Sequence, residues 1–315
     1  MAISPHALGA TLYMPVIRPD IFEIATGYKL PGLRSLVLCL EDALAEHHVA
    51  IGLANLAGLL ERLSLARRAT GDRPLLFVRP RSIAMAAAIA AMPDIGCIDG
   101  FVAPKCRPDH VAPWFRAVER GELLLMPTLE TPEFLDAEET KGFLREIDAL
   151  GKDRILALRI GGNDLMALLG LRRERGLTLY DGPLGPILSN LAVRAACAGF
   201  ALTAPVFERL DDPLTFADEL RRDAAHGFVG KTAIHPSQIE PIAQAFQPTE
   251  ADVDAARAIL APNAPAVFQL NGAMCEPATH AKWAERILAR SDNLGVRDEA
   301  SETGYIASRA APMAR

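Results

Sequence analysis

The sequence contains few cysteines, and they show no arrangement in which they could act together. Its 315 residues include five cysteines, which are odd in number, widely separated and without a Cys-x-x-Cys pair. Neither a structural zinc site nor a disulfide framework is therefore indicated. We expect the thiols to stay reduced, as they do in a cytoplasmic protein.

The chain also lacks the features of a nucleic-acid-binding, exported or membrane protein. Its net charge is −6 at pH 7, so a basic surface for nucleic acid is not expected. The densest basic cluster, Arg172, Arg173 and Arg175, is interpreted as a solvated helix end. The N-terminus has no basic segment followed by an apolar one, so no signal peptide is expected. No uninterrupted apolar run is long enough to cross a bilayer, and no membrane partner is expected.

What the chain does contain is a series of short apolar runs that alternate with longer segments of helical character. The runs show no polar alternation, which is typical of parallel strands that are buried on both faces. They predict eight strands, in the ranges 11–16, 35–40, 75–78, 100–104, 123–132, 155–164, 199–207 and 227–236. Eight βα units favour an α/β fold of the (β/α)₈ TIM-barrel type. A doubly wound open sheet is the alternative, but no Gly-x-Gly-x-x-Gly follows the first strand.

The predicted barrel takes up residues 1–248, and a C-terminal extension follows it. Thr249 is the predicted N-cap of the first of two helices in this extension. We interpret residues 249–290 as a helical lid or an oligomerisation element. The tail 291–315 has no clear hydrophobic period and is expected to be disordered.

Two of the apolar runs end in a carboxylate, Glu130 in the fifth and Asp164 in the sixth. Active sites of barrels lie at the C-terminal ends of the strands, where neighbouring strands would bring these acids together. Two converging carboxylates suit a hard cation such as Mg²⁺. The adjacent Gly161 and Gly162 would let the backbone approach a ligand closely, and they are assigned to substrate binding. The alternative interpretation is that the acids cap the helices that follow them.

Charged residues also follow the second, third and fourth strands. Arg79 could bind a substrate carboxylate in bidentate fashion, or it could pair with Glu41 or another acid at a neighbouring strand end. Lys105 could be a Schiff-base lysine, as in barrel aldolases. An ion pair of Lys105 with Glu41 or Asp42 is favoured, because a lysine flanked by acids keeps its proton. Glu41, Asp42 and Lys105 are therefore expected to support the site rather than to react.

In their order and spacing, these stretches resemble the HpcH/HpaI aldolase and citrate lyase β-subunit family over residues 10–290. Each motif is short, and their common order along the chain makes the resemblance specific. The matching motifs are Leu40-Glu41-Asp42-Ala43, Val78-Arg79, Pro104-Lys105, Leu129-Glu130-Thr131, Gly161-x-x-Asp164-Leu165, Gly227-Phe-x-Gly-Lys-x-x-Ile-His-Pro-x-Gln-Ile239 and Gly272-x-Met274-x-Glu276-Pro277.

The resemblance implies a (β/α)₈ barrel that assembles as a trimer or hexamer. It implies Mg²⁺, with Mn²⁺ as the alternative ion, bound through Glu130 and Asp164, while Arg79 holds the acid group of a small carboxylate substrate. The implied reaction is a reversible Claisen- or aldol-type cleavage of a C–C bond, often in an acyl thioester of coenzyme A or of a carrier protein. The cation would stabilise the negative charge that develops on the substrate.

Glu276 occupies the position of the family's C-terminal acid, which comes from a lid that reaches a neighbouring subunit in several members. The resemblance therefore implies that Glu276 acts as a general acid/base. Cys39 stands where the family usually has an acid, and Arg81 stands where it has an asparagine. These departures fit a divergent branch that resembles citrate-lyase-like proteins found beside tellurite-resistance genes. A non-catalytic barrel that keeps ligand binding, as a partner or sensor in a biosynthetic or stress-resistance cluster, is the alternative to a lyase.

Overall fold

The main sheet consists of eight parallel strands that follow one another in chain order. They belong to a computed structural model, which describes residues 3–66, 73–119 and 123–297. The strands are β1 (Gly9–Pro15), β2 (Ser35–Cys39), β3 (Leu75–Arg79), β4 (Gly100–Ala103), β5 (Leu124–Leu129), β6 (Leu158–Ile160), β7 (Leu202–Thr203) and β8 (Gly230–Ala233).

The sheet closes on itself between its first and last strands. β8 pairs in parallel with β1 on one side, and on the other a parallel bridge joins Ala204, just after β7, to Lys231 in β8. The Ala204 amide also donates a hydrogen bond to the carbonyl oxygen of Gly230 at 2.8 Å. Each strand therefore has two neighbours, and the predicted TIM barrel is confirmed.

Helices surround the barrel and bury its outer face. They are α1 (Ile21–Ala25), α2 (Val49–Ala66), α3 (Ile83–Ala90), α4 (Val111–Ala117), α5 (Ala137–Gly151), α6 (Gly162–Leu168), α7 (Leu184–Cys197), α8 (Pro213–Ala225) and α9 (Ile239–Phe246). Within the described ranges, the stretch Glu46–Ala66, which includes α2, is the one helical segment long and apolar enough to cross a membrane by length and composition. In this fold, α2 packs Leu56, Leu59 and Leu60 into the main core.

Some elements differ from the predictions, each for a local reason. The predicted strand 199–207 has only two paired residues in β7, and Pro205 has no amide with which to extend the ladder. The sequence also predicts a helix near residues 20–29, and the helix found there ends at Ala25, because the chain turns at Gly27 with a φ of +78°. α9 is not predicted from the sequence, since its eight residues give only two turns of apolar period.

The interior of the barrel has an apolar layer beneath a polar one. Alternate residues of a strand point to the same side of the sheet. Phe77 in β3 and Met126 in β5 are fully buried in an apolar cluster inside the barrel. Two residues further along the same strands stand Arg79 and Thr128. Polar side chains therefore lie above an apolar layer, toward the C-terminal ends of the strands.

The C-terminal extension packs against the opposite end of the barrel. It consists of α10 (Glu250–Ile259), a hairpin of β9 (Phe268–Leu270) and β10 (Ala273–Cys275), and α11 (Pro277–Leu294). Arg286 and Arg290 of α11 donate hydrogen bonds to the carbonyl oxygens of Gly227 and Phe228, which precede β8. These contacts place α11 at the N-terminal ends of the strands.

Two expectations about the extension need correction. Its contacts are with the N-terminal end of the barrel, so within the described chain it does not form a lid over the strand ends that carry the acids. The predicted tail also begins too early, because α11 continues to Leu294 and Arg297 forms a bridge with Thr249. Residues 298–315, which make up the rest of that tail, lie outside the described residues. Thr249 caps α10 through a capping box with Asp252.

A group of charged side chains is buried between β8 and α8. Lys231 is fully buried, and its Nζ lies 2.9 Å from Glu219 and 2.7 Å from Asp223. Arg173 is 5% exposed and also pairs with Glu219. Burial alone would raise the pKa of Glu219, but the charges of Lys231 and Arg173 lower it. The interpretation of Arg173 as a solvated residue is therefore wrong, since this side chain fastens the loop after α6 to α8.

We expect Glu219→Ala to destabilise the protein by roughly 3–5 kcal/mol, because it leaves Lys231 and Arg173 buried with too little negative charge. Denaturant unfolding measures this loss. The matched control is Asp218→Ala on the same helix, whose carboxylate pairs with Arg221 near the surface. That pair is expected to contribute at most about 1 kcal/mol. Equal losses in the two variants would contradict the role of the buried group.

Candidate active site

The C-terminal ends of the strands surround a cavity of about 330 Å³. This volume is at the lower end of the roughly 300–1,000 Å³ that is typical of small-molecule sites. The predicted metal- and substrate-binding residues all line it. Its lining includes Tyr13, Cys39, Asp42, Arg79, Thr128, Glu130, Arg159, Gly161, Gly162, Asp164, Val206 and Thr232.

Glu130 is held where a carboxylate is difficult to ionise. It follows β5 and is 4% exposed. Its Oε1 accepts a hydrogen bond from the Lys105 amide at 2.6 Å and lies 3.6 Å from the guanidinium of Arg79. Burial raises the pKa of Glu130 to about 7, an effect that the charge of Arg79 opposes and that of Asp164 increases. Such a carboxyl group can exchange its proton for a cation near neutral pH.

The residue beside this carboxylate has to be a glycine. A Cβ atom built on Gly161 would lie 2.1 Å from Oε2 of Glu130, far inside van der Waals contact. Gly161 therefore makes room for the Glu130 carboxylate, whereas its expected role is to make room for a ligand. Gly162 is buried against Pro205 and begins α6, so it serves packing as well as the cavity wall.

Asp164 reaches the cavity from a helix and not from a strand end. β6 ends at Ile160 and α6 begins at Gly162, so Asp164 lies in the first turn of α6 and the predicted strand 155–164 is too long. The start of α6 has no side-chain cap, and Glu130 accepts its hydrogen bond from a residue of another strand's loop. In the described chain, neither acid caps the helix that follows it.

Arg79 is held by acids on the wall of the cavity. Its Nη2 lies 2.8 Å from Glu41 and 3.5 Å from Asp42. The ion-pair interpretation therefore describes the protein without a ligand. The Nε of Arg79 is nevertheless buried and has no hydrogen-bond partner among the described residues. Arg79 therefore keeps one unused donor while it pairs with the acids, so the two interpretations of Arg79 are compatible.

Glu41 connects Arg79 to Lys105 and orders both. It is 6% exposed, and one of its oxygens lies 3.0 Å from the Nζ of Lys105. Partial burial would lower the pKa of Lys105, but the hydrogen bond to Glu41 and the charges of Glu41 and Asp42 raise it. A lysine in this state is protonated at neutral pH, which argues against a Schiff base.

The backbone of Lys105 has a second function in the site. Its φ is +46°, in the left-handed region that a non-glycine residue adopts at a cost of about 1–3 kcal/mol. In this conformation its amide donates the hydrogen bond to Glu130. The strained turn after β4 therefore contributes directly to holding the buried carboxylate.

Arg81 fixes the loop that carries Glu41. Its Nε donates to the carbonyl oxygen of Leu40 at 2.9 Å, and its Nη1 lies 2.6 Å from Glu46. Its Nη2 also donates to the carbonyl oxygens of Glu41 and Leu44. The departure from asparagine at this position thus replaces a small polar side chain with a clamp on the β2 loop.

The available ligands fit a magnesium ion in kind and in number. Within the described ranges, no group of three or more His, Cys, Asp or Glu side chains lies close enough to hold a metal. A cage made of protein ligands alone is therefore not formed there. Mg²⁺ is usually bound through one or two carboxylates and keeps water or substrate in its other positions. Glu130 and Asp164 supply that number.

The floor of the cavity contains a cation that is not predicted from the sequence. Arg159 in β6 is 1% exposed and lines the cavity with Tyr13 and Thr232. Its Nη2 donates to the Thr232 hydroxyl at 2.6 Å, and its guanidinium carbon lies 5.2 Å from the centre of the Tyr13 ring. The available signal is that Arg159 is the one charged residue in the apolar run 155–160.

Glu276 is not brought to these residues. It precedes α11, its carboxylate accepts a hydrogen bond from the Thr279 hydroxyl at 3.2 Å, and it does not line the cavity. The extension to which it belongs packs at the N-terminal end of the barrel. Within the described chain, Glu276 could therefore act only on the site of a neighbouring subunit.

Two acids and an arginine line one cavity at the C-terminal end of this parallel eight-stranded barrel. That arrangement is typical of TIM-barrel enzymes, and it provides oxygen ligands for a cation. A family model described as C–C bond lyase of the TIM-barrel fold matches residues 2–296. The chain belongs to this family. The family resemblance that the sequence motifs indicate is thereby confirmed.

Several known proteins are similar to the chain. A citrate lyase subunit beta-like protein from Deinococcus radiodurans is 39% identical over 178 residues, which are 56% of this chain and 59% of that protein. The match thus spans less than two thirds of that relative's length. A (3S)-malyl-CoA thioesterase from Cereibacter sphaeroides is 26% identical over 257 residues, 81% of this chain and 83% of that protein.

The same fold occurs in solved structures of low sequence identity. CitE from Mycobacterium tuberculosis, in complex with magnesium, acetoacetate and coenzyme A, has a TM-score of 0.65 at 22% identity, covering 91% of this chain and 99% of that chain. A citrate lyase from Burkholderia xenovorans has a TM-score of 0.69 at 17% identity, covering 96% of this chain and 99% of that chain. At this level of identity, the likeness shows a shared fold.

We expect the affinity for Mg²⁺ to rise with pH, because the cation competes with the proton on Glu130, whose pKa is about 7. Only the ionised carboxylate binds, so the Kd for Mg²⁺ should be about tenfold higher at pH 6 than at pH 8. Above pH 8 the Kd should become constant. Calorimetric titration across this range measures the effect. In Glu130→Gln, the remaining affinity should be weak and independent of pH. A flat profile in the unmodified protein would contradict this assignment.

Proposed function

We propose that the protein is a Mg²⁺-dependent lyase that cleaves a C–C bond of a hydroxy- or oxo-carboxylate, or of its acyl thioester. The observation that carries this proposal is the convergence of Glu130, Asp164 and Arg79 on one cavity. Membership of the C–C bond lyase family supports the reaction type. The reaction would be of the retro-Claisen or retro-aldol kind.

Glu130 and Asp164 would hold the cation, with Mn²⁺ as the alternative to Mg²⁺. When bound there, the metal supplies a Lewis acid beside the substrate oxygen on which negative charge develops. Burial of Glu130 supports this role, because electrostatic interactions are stronger where water is excluded.

Arg79 would orient the substrate by binding its carboxylate through Nε and a neighbouring Nη. Glu41 holds the guanidinium in place during this contact. As the C–C bond breaks, the substrate hydroxyl loses its proton and becomes the carbonyl of an oxo acid. The bonding electron pair forms the enolate of the other fragment, and the carbon of that enolate then takes up a proton. A general acid/base is needed for these two proton transfers.

The second fragment is proposed to be an acyl thioester of coenzyme A or of a carrier protein. Support comes from relatives, since a Cereibacter sphaeroides protein is named a malyl-CoA thioesterase and the Mycobacterium tuberculosis CitE structure contains coenzyme A. The cavity of about 330 Å³ suits the reacting acid and acyl group. The much larger coenzyme would extend from its mouth.

We further propose a cytoplasmic homo-oligomer, a trimer or hexamer, in which Glu276 of one chain is the general acid/base of its neighbour's site. The extension exposes Met274 and Trp283, large apolar side chains that an interface would bury. Four of the five cysteines are buried, and none of the five forms a disulfide among the described residues, which suits a reducing compartment.

We expect Glu130→Gln and Asp164→Asn each to lower Mg²⁺-dependent activity by about 10²–10³-fold or more, because each removes charge that holds the cation. The assay follows thioester turnover with acetyl-CoA and glyoxylate, pyruvate or oxaloacetate. The matched control is Glu133→Gln, three residues after Glu130, whose carboxylate pairs with Arg107 outside this cavity. This variant should remain active.

Undiminished Mg²⁺-dependent turnover in both site variants would end the proposal. A different result would favour the non-catalytic alternative. In that case the unmodified protein would bind oxo acids with Mg²⁺ but turn over none of the thioester mixtures.

Mixing two inactive variants tests whether Glu276 acts across an interface. Glu276→Gln and Glu130→Gln should each be inactive alone. After dissociation and reassembly as an equimolar mixture, about one quarter of the sites should be intact, because each needs one chain of either type in the right order. Activity of the reassembled mixture measures this recovery. Near-normal activity of Glu276→Gln alone would contradict the role of Glu276. So would the absence of any recovery in a reassembled mixture of two inactive variants.

A further inference from the structure

Arg159 is a buried cation for which the described part of the chain provides no carboxylate partner. It is 1% exposed. Its guanidinium contacts the hydroxyls of Thr232 at 2.6 Å and Thr11 at 3.4 Å, and the sulfur of Met126 at 3.9 Å. Its Nε is buried and has no hydrogen-bond partner among the described residues. All of these neighbours are neutral, so the positive charge is left without compensation.

The other cations that are fully buried among the described residues, Lys231 and Arg173, are compensated by acids. Lys231 has two carboxylates within 2.9 Å, and Arg173 pairs with Glu208 and Glu219. Arg79 lies beside Glu41. Burying a charge without a partner is strongly unfavourable, and natural proteins avoid it unless a ligand supplies the opposite charge. The contrast therefore indicates that an anion binds at Arg159.

Tyr13 is not that anion, although its ring lies beside both arginines. Burial raises the pKa of Tyr13, and the charges of Arg159 and Arg79 only partly oppose this effect. The phenol is therefore neutral at physiological pH. It can hydrogen-bond or make cation–π contacts, but it cannot neutralise the guanidinium.

The cavity contains further unsatisfied polar atoms around Arg159. Thr128 is its register partner on β5, and the buried hydroxyl of Thr128 has no hydrogen-bond partner among the described residues. The Nε atoms of Arg79 and Arg159 are in the same state. All three residues line one cavity. Buried polar groups are almost always paired, so these atoms point to a polar ligand that reaches from one arginine to the other.

The depth of Arg159 limits the length of such a ligand. Thr128, its register partner, stands two residues before Glu130, a step of about 6.6 Å along a strand. The two carboxyl carbons of an extended four-carbon diacid lie about 4 Å apart, given C–C bonds of about 1.5 Å. Such a diacid is therefore short enough to lie within this step, with one carboxylate toward each level of the cavity.

We propose that Arg159 binds a second carboxylate of the acid substrate, so that the site takes a dicarboxylate. The first carboxylate and its oxo or hydroxyl neighbour would lie at Glu130, Asp164 and Arg79, a placement that rests on the proposed function. The second carboxylate would lie on the floor of the cavity, against Arg159 and Thr128. Arg159 is then a specificity-determining residue, which separates four-carbon diacids from monoacids with the same reacting group.

Malate and lactate form the test pair, because they share a 2-hydroxy acid group and malate adds one carboxylate. Calorimetric titration with Mg²⁺ should show malate binding about 10- to 100-fold more tightly than lactate. Arg159→Met should abolish this preference by weakening malate, with lactate and Mg²⁺ changed by less than about twofold. Arg159→Lys should retain part of it. Equal affinities in the unmodified protein, or an equal loss for both acids in Arg159→Met, would overturn the proposal.

A purely structural role of Arg159 predicts a different result in the absence of ligand. Since its charge is unpaired, Arg159→Met should unfold at the same temperature as the unmodified protein or higher. A melting temperature as low as that of Glu219→Ala, or failure to fold, would assign Arg159 to support of the barrel and overturn the proposal. Acetate added with lactate tests for a separate small carboxylate. If lactate in the presence of acetate bound as tightly as malate, and did so in an Arg159-dependent manner, the dicarboxylate assignment would be overturned.

Titration in the presence of a chelator separates this proposal from the proposed function. If Mg²⁺ has no effect on binding but malate still binds more tightly than lactate in an Arg159-dependent manner, the proposed metal site is wrong. The carboxylate site at Arg159 is then supported. If both acids bind with Mg²⁺ and Arg159→Met changes the affinity for neither, the proposed metal site is supported and the carboxylate site at Arg159 is wrong. Binding of neither acid under either condition would overturn both.

Discussion

The site depends on one carboxylate, Glu130, that is kept nearly free of water and yet available as an anion. Burial raises its pKa to about 7, while the Lys105 amide and Arg79 favour its ionised form. The absence of a side chain at Gly161 leaves the space that this carboxylate fills. These contacts come from three different strand ends. A group balanced in this way responds to a nearby cation, as a catalytic metal site requires.

Buried cations have acidic partners on the outer face of the barrel but not at Arg159 on its inner face. Outside, between β8 and α8, Lys231 and Arg173 are matched by acids and hold the loop after α6 in place. Inside, Arg159 is surrounded by neutral hydroxyls above the apolar layer of the barrel interior. The paired group stabilises the fold, whereas the unpaired cation favours an anionic ligand. The same residue type thus serves stability in one place and recognition in the other.

Several residues of the site can be predicted because their signals are local. Glu130 and Arg79 each end an apolar run, and parallel strands bring their C-terminal ends together. The ion pair of Lys105 with Glu41 follows from the same geometry. Asp164 is predicted as a site residue although its strand ends earlier than expected. Arg159 is not predicted, because a charge inside an apolar run gives no indication of whether a partner meets it.

The sequence by itself determined the number and order of the strands and the cap at Thr249. These properties depend on neighbours within a few positions. Only the tertiary structure decided which charges are compensated, since Arg159 and Thr11 are 148 positions apart in the chain. It also decided that the extension packs beneath the barrel, where its arginines meet the carbonyl groups before β8. Charge compensation and docking depend on contacts between distant segments, which local pattern cannot specify.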